Sequence, residues 1–172
     1  FIMQTRFGHG ETHYDEEINV PYFLKLPKDL VPKKRFIPGQ VSLLSILPTV
    51  LGLLGIKQDI YDFKGINFSE CILKDEPCPK ENTIYTEGRM SESMRTASYK
   101  YIRRYPGFTT VRRTVAGEPH FMMEELYDLV KDPEEKTNLV PIDESHPLLV
   151  KARSEFLDSR FLNRNRIKIK IP

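Results

Sequence analysis

The chain has 172 residues, near the usual length of one domain or of one domain with a small appendage. Apolar residues make up 40% and charged residues 29% of the sequence, which is typical of a globular protein and excludes a fibrous or wholly disordered one. The formal net charge of +2 does not indicate a nucleic-acid-binding protein, because such binding normally needs a concentrated basic face.

The first part of the chain predicts one strand, an exposed connection and one helix. The apolar run "INVPYFLKLP" (18–27) is typical of a buried strand, and the proline- and lysine-rich stretch 27–39 of an exposed connection. A helix is predicted from an N-cap at Ser45 to a stop at Gly55. The side chains that this helix is expected to bury are Ile46, Leu47, Val50, Leu51, Leu53 and Leu54.

The apolar stretch 41–56 is too short to cross a bilayer and contains Pro48, Gly52 and Gly55, so no membrane span is predicted. The N-terminus shows no basic segment and no cleavage pattern of a signal peptide. Because the sequence opens on Phe1, it is expected to be a piece of a longer polypeptide.

Residues 57–82 show little periodicity and are predicted to be irregular. They contain the two cysteines of the chain, Cys71 and Cys78. The pair is compatible with a disulfide, which would imply an oxidising compartment, and equally compatible with two free thiols. Neither cysteine belongs to a cluster with zinc-site spacing.

The second half predicts a small antiparallel sheet. Strands are expected in "NTIYTEG" (82–88), in "TASYKYIRRY" (96–105) and in "FTTVRRTV" (108–115), the last two joined by a tight Pro-Gly turn. "MMEELYDLV" (122–130) is expected to complete the sheet. "DPEEKTNLV" follows it as a turn that Asp132 initiates.

A closing helix is predicted from Ser145 to Leu162, with Ser145 as its N-cap. Its apolar residues recur at helical spacing and should lie on the sheet; they are Leu149, Ala152, Phe156, Leu157 and Phe161. The tail "IKIKIP" (167–172) fits either an edge strand or a disordered end.

Two basic runs stand out. Between Arg95 and Gly117 there are six basic residues and no acidic one, and a second run follows Asp158. The pattern favours a solvated face over a binding site for a polyanion.

The local chemistry of the histidines narrows the candidate sites. His9 and His13 are four residues apart, but a zinc-protease helix requires glutamate directly after the first histidine, where Gly10 stands. No serine lies in a nucleophile elbow, and neither cysteine has a recognisable nucleophile context. A glycine-flanked His9 remains, in a loop from which it could reach a ligand. On these grounds alone, an ordinary loop histidine is the favoured interpretation.

Five segments, in order, resemble segments of sulfatases of the alkaline-phosphatase-like superfamily. "GHGETHYDEEINVPYFLKLP" resembles G-H-G…Y-x-E-E-x-x-V-P, and "VSLLSILPTVLGLLGI" resembles the helix V-S-x-x-D-h-x-P-T-h-h-x-h-h-G-h. "FKGINF" is similar to the G-x-S-L segment, and "IYTEGRMSESMRTASYKYIRRY" to a strand pair that ends in Y-K-Y-I. "EELYDLVKDPEEKTNLV" matches E-L-Y-D-L-x-x-D-P-x-E-x-x-N-L almost letter for letter.

The resemblance implies part of an α/β, alkaline-phosphatase-like fold. Residues 1–65 would be the C-terminal remainder of the catalytic α/β domain, and residues 66–172 a subdomain of antiparallel sheet packed by a C-terminal helix. Without its central strands, the first part is expected to expose apolar surface unless a partner covers it. Ser45 stands where the family usually has aspartate, and the segment 71–82 has no counterpart in the family.

The same resemblance implies hydrolysis of sulfate esters by a formylglycine nucleophile together with Ca²⁺ or Mg²⁺. The family's C-x-P-S-R or S-x-P-S-R segment and its metal-binding D-H-G stretch are absent, since Cys71 precedes "ILKD" and Cys78 precedes "PKEN". The nucleophile and metal ligands are therefore expected in the N-terminal part of a parent sulfatase. This chain alone is expected to be inactive, with no metal ligand of its own.

By the same resemblance, His9 matches a lysine or histidine that contacts the sulfate ester, so it is the candidate catalytic and substrate-binding residue. His13 is a second candidate for substrate binding, although packing or loop hydrogen bonds are equally open for it. The same holds for Glu11, Tyr14 and Glu17.

Two other functions remain open. The first is a phosphonate or phosphate-ester hydrolase or a phospho-group transferase of the same superfamily, which only the missing nucleophile would distinguish. The second is a non-catalytic domain whose basic hairpin binds an anionic glycan, with an affinity that falls steeply with salt. A secreted, periplasmic or lysosome-like location is expected if Cys71 and Cys78 are bonded.

Overall fold

The computed structural model describes residues 12–59, 61–74, 76–105, 110–113, 119–140 and 145–164. Its elements are the helix α1 (Asp15–Ile18), a 3-10 turn (Leu43–Ser45) that leads into α2 (Ile46–Leu53), α3 (Ser69–Leu73), the strands β1 (Thr83–Glu87), β2 (Ser91–Thr96), β3 (Tyr99–Arg104), β4 (Thr110–Arg113), β5 (Pro119–Met122) and β6 (Glu124–Asp128), and the helix α4 (Pro147–Arg164). The mixed α/β class predicted from the sequence is confirmed.

The residues group into two compact units, one within 1–21 and 85–160 and the other within 22–84 and 161–172. The division predicted after residue 65 concerns the domains of a longer enzyme and stays a prediction.

The first unit is built on a sheet of four strands in the order β1-β2-β3-β6. Strand β3 pairs antiparallel with both β2 and β6; Tyr101, for example, lies opposite Met94 on one side and Leu126 on the other. Strands β4 and β5 form a separate hairpin. The predicted pairing of β3 with β4 is therefore wrong. Because β3 is buried on both faces, it takes a central position with a partner on each side.

One face of this sheet packs on α4. Its core consists of Met94, Tyr99, Tyr101 and Leu126 from the strands and Leu149, Ala152 and Phe156 from the helix. The rings of Tyr101 and Phe156 meet edge to face with centroids 5.1 Å apart. The predicted closing helix is thus confirmed, and so is the burial of Leu149, Ala152 and Phe156. Leu157 is exposed, and the side chain of Phe161 lies outside what the structure describes.

The cap of α4 differs by one residue from the prediction. The Nδ1 atom of His146 accepts a hydrogen bond from the backbone N–H of Leu148 at 3.2 Å, and the His146 carbonyl accepts one from Leu149. His146 therefore caps the helix in place of Ser145, and Pro147 occupies the first helical position, where its missing N–H is not needed.

Residues 19–27, of which 19–21 belong to the first unit and 22–27 to the second, form no regular element. Val20, Tyr22 and Phe23 are exposed, Phe23 to 89%. The predicted buried strand is therefore wrong, because none of the described strands pairs with this segment. The expected exposure of apolar surface in the first part of the chain is observed.

Helix α2 is confirmed, and the chain leaves it through Gly55 at φ 68°. Ser45 stands at the N-cap position of α2 as predicted, but its side chain makes no capping bond there. The capping bond is found one turn earlier, where the Ser42 side chain accepts from the Leu44 backbone N–H. The predicted buried face is wrong, because Pro48 and Thr49 are buried whereas Leu47 and Leu54 are exposed.

Residues 57–82 are less irregular than predicted. Helix α3 begins at Ser69, and Cys71 and Cys78 form a disulfide with their Cα atoms 5.0 Å apart. The predicted tail strand 167–172 lies outside the described residues. Within the part of the chain that the structure describes, no helix has both the length and the apolar composition to cross a membrane.

Candidate functional site

The segment 12–18, here called the histidine segment, lies on the face of the sheet opposite α4. Tyr14 packs in one buried cluster with Ile102 of β3, Tyr127 of β6 and Leu129. These strand residues point away from α4 because side chains alternate along a strand, and their neighbours Tyr101 and Leu126 face the helix. His9 lies outside the described residues, three positions before this segment begins.

The first group of buried charges centres on Lys100, which has no solvent exposure. Its Nζ atom contacts Oδ1 of Asp15 and Oε1 of Glu135. The Glu135 carboxylate also accepts a hydrogen bond from the backbone N–H of Asp15 at 2.9 Å, and the Nη2 atom of Arg95 lies 2.8 Å from Oδ2 of Asp15. Asp15 is therefore fixed through both its backbone and its side chain.

Glu135 adopts a left-handed backbone conformation, with φ 54°. Glutamate rarely adopts this conformation, which persists only where surrounding contacts impose it. The bonds from Glu135 to Lys100 and to the Asp15 backbone are such contacts.

The second group centres on Glu125, which is also fully buried. Its carboxylate contacts the Nη2 atom of Arg104 and accepts hydrogen bonds from the hydroxyls of Tyr14 at 2.6 Å and Tyr127 at 2.5 Å. The two tyrosine rings meet at nearly right angles with centroids 6.0 Å apart. Tyr14 thus links the histidine segment to two strands of the sheet.

His13 is 4% exposed and is wedged against the chain at Gly88. A Cβ atom at Gly88 would lie 2.6 Å from Nε2 of His13, so only glycine fits there without displacing the imidazole. The Nδ1 atom is buried without a hydrogen-bond partner in the described part of the chain. Burial, and then the charge of Arg104, lower the pKa of His13 to about 4, so this imidazole is neutral at pH 7.

The pKa values of the two buried carboxylates, Glu125 and Glu135, and of the partly buried Asp15 shift in different directions. Burial raises the pKa of Asp15, but hydrogen bonds from Arg95 and Lys100 outweigh it and bring the pKa below its ordinary value. The pKa of Glu125 is lowered in the same way, with burial opposed by the charge of Arg104 and by the tyrosine hydroxyls. For Glu135 burial prevails over the bond from Lys100, and the pKa is raised.

This arrangement holds the chain in place and offers no reactive group. Asp15, Glu125 and Glu135 each contact at least one of the cations Arg95, Lys100 and Arg104. Buried charges paired in this way specify a geometry, and removing one member leaves the other unpaired. Among the described residues, no group of three or more His, Cys, Asp or Glu side chains is placed to hold a metal ion.

Sequence reasoning missed the roles of Asp15, Lys100, Arg104, Glu125 and Glu135, although each lies in a segment that it had quoted. The solvated-face interpretation is wrong for Lys100 and Arg104, which are buried. Their carboxylate partners are 85 and 21 residues away in sequence, so no local pattern reveals them. The substrate role of His13 stays a prediction, and its burial favours the packing role that was also open.

Solved structures that resemble this chain include sulfatases. One is a proposed sulfatase from Bacteroides thetaiotaomicron VPI-5482, 20% identical, with a TM-score of 0.47 over 73% of this chain and 27% of the other. Two other solved chains are described in connection with the metabolism of multiple glycosaminoglycans by Bacteroides thetaiotaomicron. Their identities are 21% and 22% and their TM-scores 0.43 and 0.39; the matches cover 67% and 63% of this chain and 24% of each solved chain.

The chain therefore spans about a quarter of the length of these solved chains. The naming of the first of them as a sulfatase agrees with the resemblance to part of a sulfatase that is predicted from the sequence. No family model and no curated protein matches the sequence.

Replacing Glu125 by Gln should strongly destabilise the first unit. The variant leaves Arg104 buried without its counter-charge, and we expect a loss of about 3 kcal/mol in the free energy of unfolding. The neighbouring Glu124→Gln is the matched control, because Glu124 pairs with a partly exposed Arg153 and should lose less than about 1 kcal/mol. The free energies of unfolding of the two variants are measured by urea denaturation. Equal losses in the two variants would contradict the role of Glu125 as the buried counter-charge of Arg104.

The buried His13 should make stability depend on pH. Its pKa is lower in the folded chain, at about 4, than the ordinary value of 6.5, so the unfolded chain takes up the proton first as pH falls. The stabilisation is fully present above pH 6.5 and should decrease on the order of 3 kcal/mol as pH falls towards 4.

His13→Gln serves as the reference for this measurement. Glu135, with its raised pKa, contributes with the opposite sign in the same range, so only the difference between the two proteins isolates His13. The unfolding free energies of the unsubstituted chain and of His13→Gln, measured between pH 7.5 and 4, should converge at low pH. Parallel curves would mean that His13 is not buried in its neutral form.

Proposed function

We propose that this chain is the C-terminal part of a sulfatase that hydrolyses sulfate esters. The formylglycine nucleophile and the ligands of a Ca²⁺ or Mg²⁺ ion are then supplied by the N-terminal part of the same polypeptide. The five segments that support the proposal occur in family order from Gly8 to Leu139, and the match continues into the closing helix.

The observation that carries the proposal is that three of these segments interlock. Tyr14 and Asp15 come from the first segment, Lys100 from the strand-pair segment, and Glu125 and Glu135 from the last. The buried contacts Asp15–Lys100–Glu135 and Tyr14–Glu125 join all three. Because residues of the three segments contact one another, their matches are not independent coincidences. Such contacts support a common fold better than separate short sequence matches do.

In this proposal His9 contacts the sulfate ester. A histidine there would donate to an anionic oxygen of the transferring group or to the leaving oxygen, which lowers the barrier where negative charge develops. The histidine segment begins three residues after His9 and is held by buried and partly buried contacts. We assign to His13 the packing of this segment and to His9 the contact with substrate.

The remaining chemistry needs residues that the described part of this chain lacks. A divalent cation would stabilise anionic oxygens and the nucleophile would accept the sulfuryl group. The carboxylates Asp15, Glu125 and Glu135 do not fit a metal role, because each is paired with a buried or partly buried cation.

We place the parent enzyme in an oxidising compartment, either extracellular, periplasmic or lysosome-like. The disulfide between Cys71 and Cys78, which closes a short loop, supports this location. The anionic-glycan alternative finds less support, since Arg95, Lys100 and Arg104 of the basic run pair with carboxylates of the chain itself.

An arylsulfate assay tests the proposal. The parent polypeptide should hydrolyse 4-nitrophenyl sulfate with added Ca²⁺ or Mg²⁺, and the isolated 172-residue chain should not. His9→Ala in the parent should lower kcat by about 100-fold. His146→Ala, at the cap of α4, is the control that should keep kcat. Metal-dependent turnover by the isolated chain, or a parent that is inactive on aryl sulfates, would refute the proposal.

A further inference from the structure

Helix α2 and the turn before it present their leucines outwards. Leu43, Leu44, Leu47 and Leu54 are between 54% and 64% exposed. At about 100° per residue these positions fall on one side of the helix, here called the leucine face. Two of them, Leu47 and Leu54, are among the side chains that the sequence pattern predicts to be buried.

The opposite side of α2 is small, polar and tightly fitted. The Thr49 hydroxyl accepts from the Phe68 backbone N–H at 3.1 Å and donates to the Ile66 carbonyl at 3.3 Å. The Ser45 hydroxyl accepts from the Ile66 backbone N–H at 2.9 Å. A Cβ atom at Gly52 would lie 2.3 Å from Oγ of Ser69. The helix therefore cannot rotate its leucines inwards without losing these bonds and colliding with its neighbours.

The chemistry of the leucine face limits its partner. No charged residue occurs from Val41 to Ile56, so nothing in this stretch would attract a polyanion or pair with a charged surface. An exposed and contiguous apolar face of this kind marks a surface that another apolar surface covers.

The size of the face favours a partner within the same polypeptide. Four half-exposed leucines present on the order of a few hundred Å² of apolar surface, less than the roughly 800 Å² per partner that a stable independent complex buries. A covalently linked partner needs less area, because the linkage raises its effective concentration. The matches cover 73% and 67% of this chain but only 27% and 24% of the solved chains, so those chains are more than twice as long and more than half of such a polypeptide lies outside a stretch of 172 residues.

We propose that the leucine face docks against an uncharged, apolar surface of the N-terminal part of the parent polypeptide. This inference rests on the proposed function for the existence of that part. It goes beyond it by assigning the contact to Leu43, Leu44, Leu47 and Leu54. The outward orientation of the leucines of α2 then has a physical reason. The side of the helix with small residues packs within the second unit, and the leucine face contacts the rest of the parent polypeptide.

Thiol labelling of Leu47→Cys tests the assignment. The variant is made in the isolated chain and in the parent polypeptide, each with its unsubstituted form as a blank, and the rate of reaction with a maleimide is measured. The natural cysteines of residues 1–172 are bonded to each other and do not react. Val150→Cys is the matched control, because Val150 is a 58% exposed apolar residue on the surface of α4.

We expect Leu47→Cys to react freely in the isolated chain and at least about tenfold more slowly in the parent, with Val150→Cys reacting at similar rates in both. Equal rates for Leu47→Cys in the two proteins would overturn the proposal. So would protection in the isolated chain that disappears on dilution, because the partner would then be a second copy. Arylsulfatase activity of the same parent is scored separately, so protection without activity refutes the proposed function and leaves the docking face standing.

Discussion

A lysine with no solvent exposure, held between two carboxylates, is the interaction on which the first unit depends. An isolated charge in such an environment is unstable unless its partners and hydrogen bonds are in place. Lys100 meets this condition only when Asp15 and Glu135 approach it from sequence positions 85 residues before it and 35 residues after it. The sheet, the histidine segment and the turn after β6 must therefore form together.

This constraint gives the sequence motifs a physical meaning. Glu125 holds Arg104 and the two tyrosines on one side of the sheet, while its neighbour Leu126 packs towards α4 on the other. The motif asparagine, Asn138, accepts a hydrogen bond from the Leu126 backbone N–H and so ties the turn to β6. These motif residues fix the chain, and the proposed chemistry is assigned to His9 and to residues outside this chain.

The sequence predicts what local patterns determine. Helix α4 follows from the helical spacing of its apolar residues. The turn after β6 follows from Asp132, whose carboxylate accepts from the backbone N–H groups of Lys136 and Thr137. Sequence patterns do not predict the structure where burial or pairing depends on residues that are distant in the chain. Segment 19–27 has the composition of a buried strand but no described strand beside it, and α2 has an amphipathic pattern whose leucine face is turned outwards. The buried pairs of Lys100 and Arg104 could not be predicted for the same reason.

Amide hydrogen exchange of the histidine segment, measured in the isolated chain, tests the central claim most directly. Buried charges should hold residues 12–18 to the sheet, so the amide of Asp15, which bonds to Glu135, should exchange slowly. In Lys100→Met the two carboxylates lose their shared cation, and this amide should exchange at least about tenfold faster while the middle of α4 is unchanged. Fast exchange at Asp15 in the unsubstituted chain, or no change in the variant, would contradict the account.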